Sequence, residues 1–281
     1  MERLQAAIEK AQSDKLGRGR SPLRAGSSQE VEGRWQQLPE LRLDHKAMQR
    51  NRIYAAEANQ AAIAFDMLRT RTLRHMQQNG WTRLAITSPT PACGKSTLAL
   101  NLAFAMARQP NTRTVQIEVD LRQPSQRRLL GANAGGQRAL PDTGHKTLEP
   151  LFDGSKPFGE IAHRYGKGLA LATNSHGIHN ASDLLLGSEV GNVLQKVEED
   201  YQPDIMIFDL PPMMVNDDTM AFQKHVDCVL LIAAAEQTSV AEIDHCEREL
   251  ASQTNVLGVV VNKCKLLPAN SRYAYNYAYG S

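Results

Sequence analysis

From residue 62 onward, short apolar runs alternate with segments of helical periodicity. Residues 62–76 carry apolar side chains at helical spacing, and residues 96–108 form a strongly apolar run that also predicts a helix. The runs between the helices are short and bounded by polar residues, which is typical of buried strands. Strands are predicted at residues 84–87, 114–119, 169–172, 205–208, 228–232 and 256–261, and two further helices at residues 189–199 and 240–253.

The predicted strands are apolar on both faces and alternate with helices. This pattern indicates a mainly parallel sheet that is covered by helices on both sides. The predicted fold class is therefore α/β. Ligands of such sheets bind at the carboxyl ends of the strands, so the polar residues that follow each strand are the candidates for function.

The two ends of the chain differ from this alternation. Residues 1–60 are rich in Gln, Arg, Ser and Gly, which predicts a flexible arm, although Trp35, Leu38 and Leu41 offer a way to hold its second half against the core. Residues 271–281 read SRYAYNYAYGS and predict a tail that is disordered when free. The predicted division is an arm at residues 1–60, a domain at residues 61–266 and a tyrosine-rich tail at residues 267–281.

Composition and charge narrow the class of protein. The chain has 281 residues and a formal net charge of +2, so it lacks the excess of basic residues that would favour nucleic acid as a partner. Its four cysteines lie far apart, and neither a zinc site nor a disulfide framework is expected. No apolar run approaches the ~20 residues that span a bilayer. We therefore expect a cytoplasmic protein that reaches a membrane through a partner.

Residues 88–97 read SPTPACGKST between a predicted strand and a predicted helix, which is the context of a phosphate-binding P-loop. The amino end of such a helix offers unpaired N–H groups and a positive dipole to phosphate. Gly94 permits close approach of the backbone, Lys95 is expected to reach the β- and γ-phosphates, and Ser96 to coordinate Mg²⁺. Pro89 stands where the strict pattern has glycine. The predicted ATP-binding residues of the loop are Thr90, Pro91, Ala92, Cys93, Gly94, Lys95, Ser96 and Thr97.

Carboxylates follow two other predicted strands. Residues 205–209 read IMIFD, the form of a Walker B strand whose terminal Asp209 holds Mg²⁺. Residues 114–120 read TVQIEVD, and because residues two apart share a face of a strand, Glu118 and Asp120 are expected to point at one ligand. Three strand ends therefore converge on one MgATP. The predicted metal ligands are Ser96, Asp120 and Asp209.

The end of the last predicted strand bears on the choice of nucleotide base. GTP-binding proteins have NKxD at this place, with the aspartate reading guanine, whereas residues 262–265 of this chain read NKCK. Lys265 in place of that aspartate favours adenine over guanine. Asn262 is the candidate contact to the base.

The loop, the two carboxylate motifs and the tail match one known family in the same order. Residues 87–96 are similar to the TSxxPGxGKS loop of the bacterial tyrosine kinases of capsule and exopolysaccharide synthesis, the BY-kinase or CpsD/CapB-like family. Residues 118–124 (EVDLRQP) resemble its Walker A′ motif DxDLRRP, and residues 204–212 (DIMIFDLPP) its Walker B stretch DxxxxDxPP. The resemblance covers roughly residues 62–281. The tyrosines that resemble the family's autophosphorylated tail are Tyr273, Tyr275, Tyr277 and Tyr279.

The resemblance implies a P-loop kinase that transfers the γ-phosphoryl group of MgATP to tyrosines in the tail of a neighbouring copy, and so it also implies self-association. Lys95, Glu118, Asp120 and Asp209 would carry catalysis, with either Glu118 or Asp120 accepting the tyrosine proton. Relatives of this kind regulate polymerisation and export of capsule or exopolysaccharide. They are activated by a transmembrane polysaccharide co-polymerase or adaptor, which implies recruitment to the inner face of the plasma membrane.

Two other functions fit an ATP-binding P-loop protein. One is an ATP-dependent switch or adaptor that hydrolyses slowly and transfers nothing, and the other is a ParA- or MinD-like ATPase. The tail favours a kinase, because a pure switch has no use for four tyrosines in a short segment. Partition and division-site ATPases also carry an extra lysine at the position that Thr90 fills here.

Three features of the chain depart from the family pattern. Glu118 replaces the first aspartate of Walker A′ and keeps the carboxylate with one more methylene. Ala92 replaces a loop glycine, which demands a negative φ or some strain. The family also has an ExxRxxR motif in the helix thought to build its ring-shaped oligomer. Here Ile63 and Asp66 replace its first two residues and only Arg69 remains, so the ring is not carried over.

Overall fold

The computed structural model describes residues 28–41, 43–131 and 147–265. Residues 1–27 and the tyrosine-rich tail lie outside these ranges. The helices are α1 (Ser28–Gln37), α2 (His45–Arg50), α3 (Ile63–Asn79), α4 (Lys95–Ala107), α5 (Gln126–Leu129), α6 (Glu149–Phe152), α7 (Phe158–Ile161), α8 (Ala181–Leu186), α9 (Glu189–Tyr201), α10 (Asp218–Phe222) and α11 (Val240–Ala251). The strands are β1 (Arg83–Thr87), β2 (Thr114–Glu118), β3 (His163–Tyr165), β4 (Leu169–Ala172), β5 (Ile205–Asp209), β6 (Cys228–Ala234) and β7 (Asn255–Asn262).

The seven strands form one sheet in the order β3-β4-β2-β5-β1-β6-β7. Neighbouring strands are parallel except β3 and β4, which pair antiparallel. The mainly parallel α/β sheet predicted from the sequence is confirmed, and its other six strands lie where the apolar runs place them. The sequence does not predict β3, because its three residues are a histidine, an arginine and a tyrosine.

Helix α4 lies at the centre of one of the two apolar clusters that fill the faces of the sheet. Residues 98–106 of this helix are buried and, apart from Asn101, apolar. A helix that is apolar on all sides belongs in a core, and this one packs on β1, β2 and β5. Its amino end is thereby fixed at the carboxyl edge of the sheet. Within the described residues, no helix is both long and apolar enough to cross a bilayer.

Residues 28–41 and 43–60 contribute buried side chains to the core of the domain. Trp35 is 2% exposed, and its Nε1 donates to the carbonyl oxygen of Tyr201 at 2.8 Å. Val31 and Leu38 are buried in the same cluster. This segment is therefore part of the domain rather than the flexible arm predicted from the sequence. The physical reason is that its few apolar residues follow i, i+4, i+7 spacing, which gives α1 one continuous apolar stripe.

The second half of this segment reaches the opposite face of the sheet. Leu41 and Met48 are buried in the cluster around α4. The Oδ1 atom of Asn101 accepts hydrogen bonds from the backbone N–H groups of Tyr54 at 2.8 Å and Ala55 at 3.0 Å. The polar residue inside α4 is therefore used to hold the segment. The expectation that Leu41 joins the core is confirmed.

Strand β7 forms one edge of the sheet. Val259 and Val261 are 39% and 56% exposed, and no strand of the described part of the chain pairs with its outer edge. The register with β6 shifts by one residue between Val256 and Gly258, which is a β-bulge. The strand ends beside the P-loop, so it also contributes to the site.

Candidate active site

The P-loop is held between the ends of two strands. The backbone N–H of Met213 donates to the carbonyl of Ser88 at 2.8 Å, and that of Met214 to the carbonyl of Pro89 at 3.0 Å, so the segment after β5 fastens the start of the loop. Gly94 has a φ of 92°, in the left-handed region that glycine adopts without steric cost. This turn directs the amino end of α4 into a cleft.

The cleft has a volume of about 530 Å³, within the range of small-ligand sites. Six of the eight predicted loop residues line it. The other two contact each other instead, since the thiol of Cys93 lies 3.2 Å from the carbonyl oxygen of Thr90. The lining residues are Pro91, Ala92, Gly94, Lys95, Ser96, Thr97, Asp120, Gln123, Pro124, Ser125, Arg128, Leu129, Pro212 and Lys263.

Lys95 lies at the floor of the cleft between two carboxylates. Its Nζ is 2.6 Å from Asp120 Oδ2 and 3.9 Å from Asp209 Oδ1. Burial alone would lower the pKa of Lys95, but the negative charges of Asp209 and Asp120 outweigh it and raise the pKa. The side chain is therefore a fixed positive charge at the amino end of α4. This is the place predicted for it.

Asp209 ends β5 and is completely buried. Its Oδ2 accepts a hydrogen bond of 2.8 Å from Nε2 of Gln126. Burial raises the pKa of Asp209, and the neighbouring Lys95 opposes that shift. Because a buried carboxylate is costly without a cation, Lys95 and Asp209 depend on each other.

The arrangement fits a magnesium ion. Asp209 Oδ1 is buried and makes no hydrogen bond of normal geometry within the described residues. Ser96 Oγ lies 3.4 Å from Lys95 Nζ, so the three predicted metal ligands surround one positive charge. Carboxylate oxygens are preferred magnesium ligands, and the ion usually takes one or two of them together with substrate phosphates. Ser96, Asp120 and Asp209 would hold it here.

Glu118 does not face the cleft, which corrects the expectation that Glu118 and Asp120 point at one ligand. Its Oε1 accepts from the backbone N–H groups of Ser125 at 2.6 Å and Gln126 at 2.9 Å, and its Oε2 from that of Asn174 at 2.8 Å. Burial, followed by the charge of Asp209, raises the pKa of Glu118 to about 7. Of the two carboxylates, Asp120 is the one that lines the cleft.

The end of β2 explains why the two side chains diverge. The strand stops at Glu118, and the next two backbone N–H groups, of Val119 and Asp120, both donate to the carbonyl of Asp209, at 2.8 and 2.9 Å. A chain that turns in this way no longer places alternate side chains on one face, since that rule holds only inside a strand. The sequence pattern does not reveal where a strand ends.

Asn262 fastens the P-loop to β7. Its Nδ2 donates to the carbonyl of Cys93 at 2.9 Å. A Cβ atom on Gly94 would lie 2.3 Å from that nitrogen, so glycine is needed there for close approach as well as for its φ. The predicted contact of Asn262 with adenine stays a prediction, while its amide nitrogen has a partner in the loop. The neighbouring Lys263 lines the cleft.

Ala92 has a φ of 62°, so the strain considered for this position is present. A non-glycine residue in the left-handed region costs about 1–2 kcal/mol. The loop is held there by its neighbour, because the carbonyl of Cys93, the next residue, accepts a hydrogen bond from Asn262. The strained residue lies in the cleft itself.

The Ala92→Gly variant is expected to be more stable than the wild type, by up to about 1 kcal/mol. Relief of the left-handed strain exceeds the extra entropy of glycine in the unfolded chain, which is about 0.4–1 kcal/mol. Urea denaturation followed by circular dichroism measures the difference in free energy of unfolding. Ala99→Gly inside α4 is the matched control and should be destabilising. A clear loss of stability in Ala92→Gly would contradict the assigned strain.

Several residues that hold the site carry no recognisable signal in the sequence. Gln126 and Asn174 contact the motif carboxylates from 83 and 56 residues away along the chain. Arg122 forms a two-pronged ion pair with Asp218, with Nε–Oδ2 and Nη2–Oδ1 distances of 2.8 and 3.1 Å. Only the arginine belongs to a motif. These contacts depend on the packing of distant segments, which periodicity and spacing do not report.

The helix at the position of the ExxRxxR motif is tied to its own domain. Nη1 of Arg69 is 3.1 Å from Oδ1 of Asp66 and donates to the carbonyl of Ala105 at 3.1 Å. Asp66 also pairs with Arg108 of the segment that follows α4. The one arginine that remains of the motif is therefore used inside the chain.

Two curated relatives span most of this chain. EpsB of Ralstonia solanacearum, named as a tyrosine-protein kinase, is 28% identical over 219 residues, which are 77% of this chain and 27% of EpsB. CapB of Staphylococcus aureus, also named as a tyrosine-protein kinase, is 26% identical over 218 residues, 77% of this chain and 89% of CapB. The chain thus spans about a quarter of EpsB and most of CapB. No family model matches the chain.

A solved structure shows the same fold. The kinase domain of Escherichia coli tyrosine kinase ETK superposes with a TM-score of 0.61 at 23% identity, over 80% of this chain and 82% of that domain. At this identity the likeness establishes the fold, a P-loop NTPase-like α/β sheet. In sequence and in fold, the chain is therefore a relative of the bacterial tyrosine kinases.

Proposed function

We propose that the chain is an ATP-dependent protein-tyrosine autokinase that regulates polymerisation and export of a capsular polysaccharide or exopolysaccharide. The observation that carries the proposal is the convergence of Lys95, Ser96, Asp120 and Asp209 on one cleft at the amino end of α4. The named tyrosine kinases EpsB and CapB match the chain over most of its length. The tail with its four tyrosines lies outside the described residues.

In the proposed reaction the phosphates of ATP bind at the P-loop and the amino end of α4. Lys95 exchanges its contact with Asp120 for the β- and γ-phosphates and neutralises charge on the transferring group. Magnesium, held by Ser96, Asp120 and Asp209, supplies further charge neutralisation when it is bound. The bond from the γ-phosphorus to the bridging oxygen breaks, a bond to the tyrosine oxygen forms, and ADP leaves.

The tyrosine hydroxyl must lose its proton during transfer, since a phenol has a pKa near ~10. Sequence reasoning leaves Glu118 and Asp120 as candidates for the base. The geometry favours Asp120, because it lines the cleft and Glu118 is occupied by three backbone N–H groups. Once Lys95 turns to the phosphates, Oδ2 of Asp120 loses its contact with Nζ and becomes available to accept the proton, while the other oxygen of Asp120 remains for the magnesium ion.

The proposal extends to partners and location. A transmembrane polysaccharide co-polymerase or adaptor would recruit the chain from the cytoplasm to the inner face of the plasma membrane and activate it. The support for this is the resemblance to the capsule and exopolysaccharide kinases. Nucleic acid is not a proposed partner, because the net charge of +2 gives no electrostatic reason for one.

The direct test is incubation of the purified protein with MgATP, followed by detection of phosphotyrosine. Labelling of the wild type, and its loss when the four tail tyrosines are replaced by phenylalanine, would support the autokinase. Hydrolysis of ATP without phosphotyrosine would favour the alternative, a switch of the ParA or MinD type.

Transfer is expected to occur between copies of the chain. The tail follows β7, which ends where Asn262 contacts the P-loop, so reaching its own γ-phosphate would require a tight reversal of the chain. In a mixture, a Lys95→Met chain with an intact tail should be phosphorylated by a chain truncated after Lys265 with an intact site. Each chain alone should stay unlabelled. Labelling of full-length protein at a rate independent of its concentration, with no labelling in the mixture, would indicate transfer within one chain.

A further inference from the structure

The side chain of Gln126 is completely buried beside the carboxylate that ends β5. Its Nε2 donates to Asp209 Oδ2 at 2.8 Å. None of the motifs includes this glutamine, which is the first residue of the short helix α5. The bond joins the segment after β2 to the end of β5.

The glutamine is itself held in place through its backbone. Its N–H donates to Glu118 Oε1 at 2.9 Å, and the preceding N–H, of Ser125, donates to the same oxygen at 2.6 Å. Glu118 Oε2 accepts from Asn174 N–H at 2.8 Å, which ties the carboxylate to the segment after β4 as well. The glutamine amide is therefore presented to Asp209 from a fixed backbone.

The consequence for Asp209 is that its two oxygens are no longer equivalent. Oδ2 accepts the hydrogen bond from Gln126, whereas Oδ1 has no partner of normal hydrogen-bond geometry in the described part of the chain and faces Lys95 at 3.9 Å. A neutral amide fixes the carboxylate without adding charge to a site that already contains three carboxylates, those of Glu118, Asp120 and Asp209. Groups that fix a metal-binding side chain in this way typically change metal affinity about 10- to 100-fold when they are removed.

We propose that Gln126 is a positioning residue that fixes the Asp209 carboxylate with Oδ1 directed to the magnesium of a bound nucleotide. The inference rests on the proposed function insofar as it assumes that the cleft binds a magnesium nucleotide. It assigns Gln126 no contact with nucleotide or metal. Its removal should weaken the magnesium-dependent part of nucleotide binding and leave the metal-independent part unchanged.

The experiment measures ADP affinity by isothermal titration calorimetry, with and without Mg²⁺, for the wild type and Gln126→Met. Methionine keeps the length and volume of the side chain and removes the donor. We expect about tenfold weaker binding of ADP in the presence of Mg²⁺, which corresponds to about 1.4 kcal/mol, and unchanged binding in its absence. A general loss of stability of the protein would weaken ADP binding under both conditions. A loss of affinity only in the presence of Mg²⁺ therefore points to the position of Asp209.

Gln116→Met is the matched control. Gln116 is a completely buried glutamine on β2 whose side-chain nitrogen and oxygen find no hydrogen-bond partner among the described residues. This variant should bind ADP like the wild type under both conditions. Gln126→Asn provides a second test should Gln126→Met fail to fold, because its amide is one methylene too short to hold Asp209 in the same way and it should show the same selective loss.

The outcomes separate the inference from the proposed function. The inference is supported if Mg²⁺ raises the ADP affinity of the wild type and raises the ADP affinity of the Gln126 variant about tenfold less. An equal gain in the wild type and in both Gln126 variants overturns it and leaves the proposed function standing. Wild-type protein that binds ADP with no effect of Mg²⁺, or does not bind it, overturns both.

Discussion

The Lys95→Met protein is expected to form no detectable phosphotyrosine with MgATP. Lys95 Nζ is the positive charge between Asp120 and Asp209 at the phosphate end of the cleft, and methionine removes that charge while keeping most of the length. Loss of a single group that stabilises transition-state charge typically lowers the rate about 100- to 1,000-fold. A time course of phosphotyrosine formation, measured by immunoblot, gives the rate.

The same variant should remain folded but melt at a lower temperature, because buried Asp209 then has no neighbouring cation. Labelling should therefore be measured well below the melting midpoint, which circular dichroism supplies. Lys196→Met is the control, since the Lys196 side chain is 68% exposed on α9 and should be dispensable for labelling. Wild-type labelling by Lys95→Met would remove the kinase assignment from this cleft.

The Trp35→Ala protein is expected to lose about 3–5 kcal/mol of free energy of unfolding, the usual range for a buried tryptophan. Trp35 is 2% exposed and packs edge-on against Tyr201, with 6.0 Å between the ring centroids. Its indole N–H donates a hydrogen bond to the carbonyl oxygen of Tyr201. The alanine variant leaves a cavity between α1 and α9. Chemical denaturation of wild type and variant gives the difference.

Trp81→Ala provides a comparison within the same chain. Trp81 is only partly buried, so a smaller loss is expected. A Trp35→Ala protein as stable as the wild type would mean that α1 does not contribute to the fold, as the flexible arm predicted from the sequence implies. The two outcomes differ by about 3–5 kcal/mol, a substantial part of the roughly 5–15 kcal/mol by which a typical domain is stable.

The elements that the sequence predicts well are those whose signal is local and strong. β1, β5 and β6 are apolar on both faces, and α4 is a long apolar helix that begins directly after Gly94 of the P-loop. By contrast, α1 lies in a segment whose overall composition is polar. Three apolar residues at helical spacing nevertheless suffice to dock it, and average composition conceals such a stripe.

The residues of the candidate site also include some that the sequence predicts and some that it does not. Lys95, Ser96 and Asp120 line the cleft as predicted, because their positions relative to a strand or helix end are local properties. The direction of Glu118 was not predictable, since it depends on where β2 leaves the sheet. Gln126 reaches the site through contacts 83 residues apart in sequence. Contacts between segments so far apart do not appear in the hydrophobic periodicity of the sequence.

The irregularity in β7 bears on how the protein behaves at high concentration. An exposed strand edge is a template on which strands of other molecules add, and two exposed valines make this edge attractive for such aggregation. The bulge between Val256 and Gly258 interrupts the regular spacing of the N–H and C=O groups. An incoming strand therefore meets an irregular ladder at this point, and the regular part of the strand is limited to residues 258–262. We therefore expect the bulge to lower the tendency of this strand edge to associate with other molecules at high protein concentration.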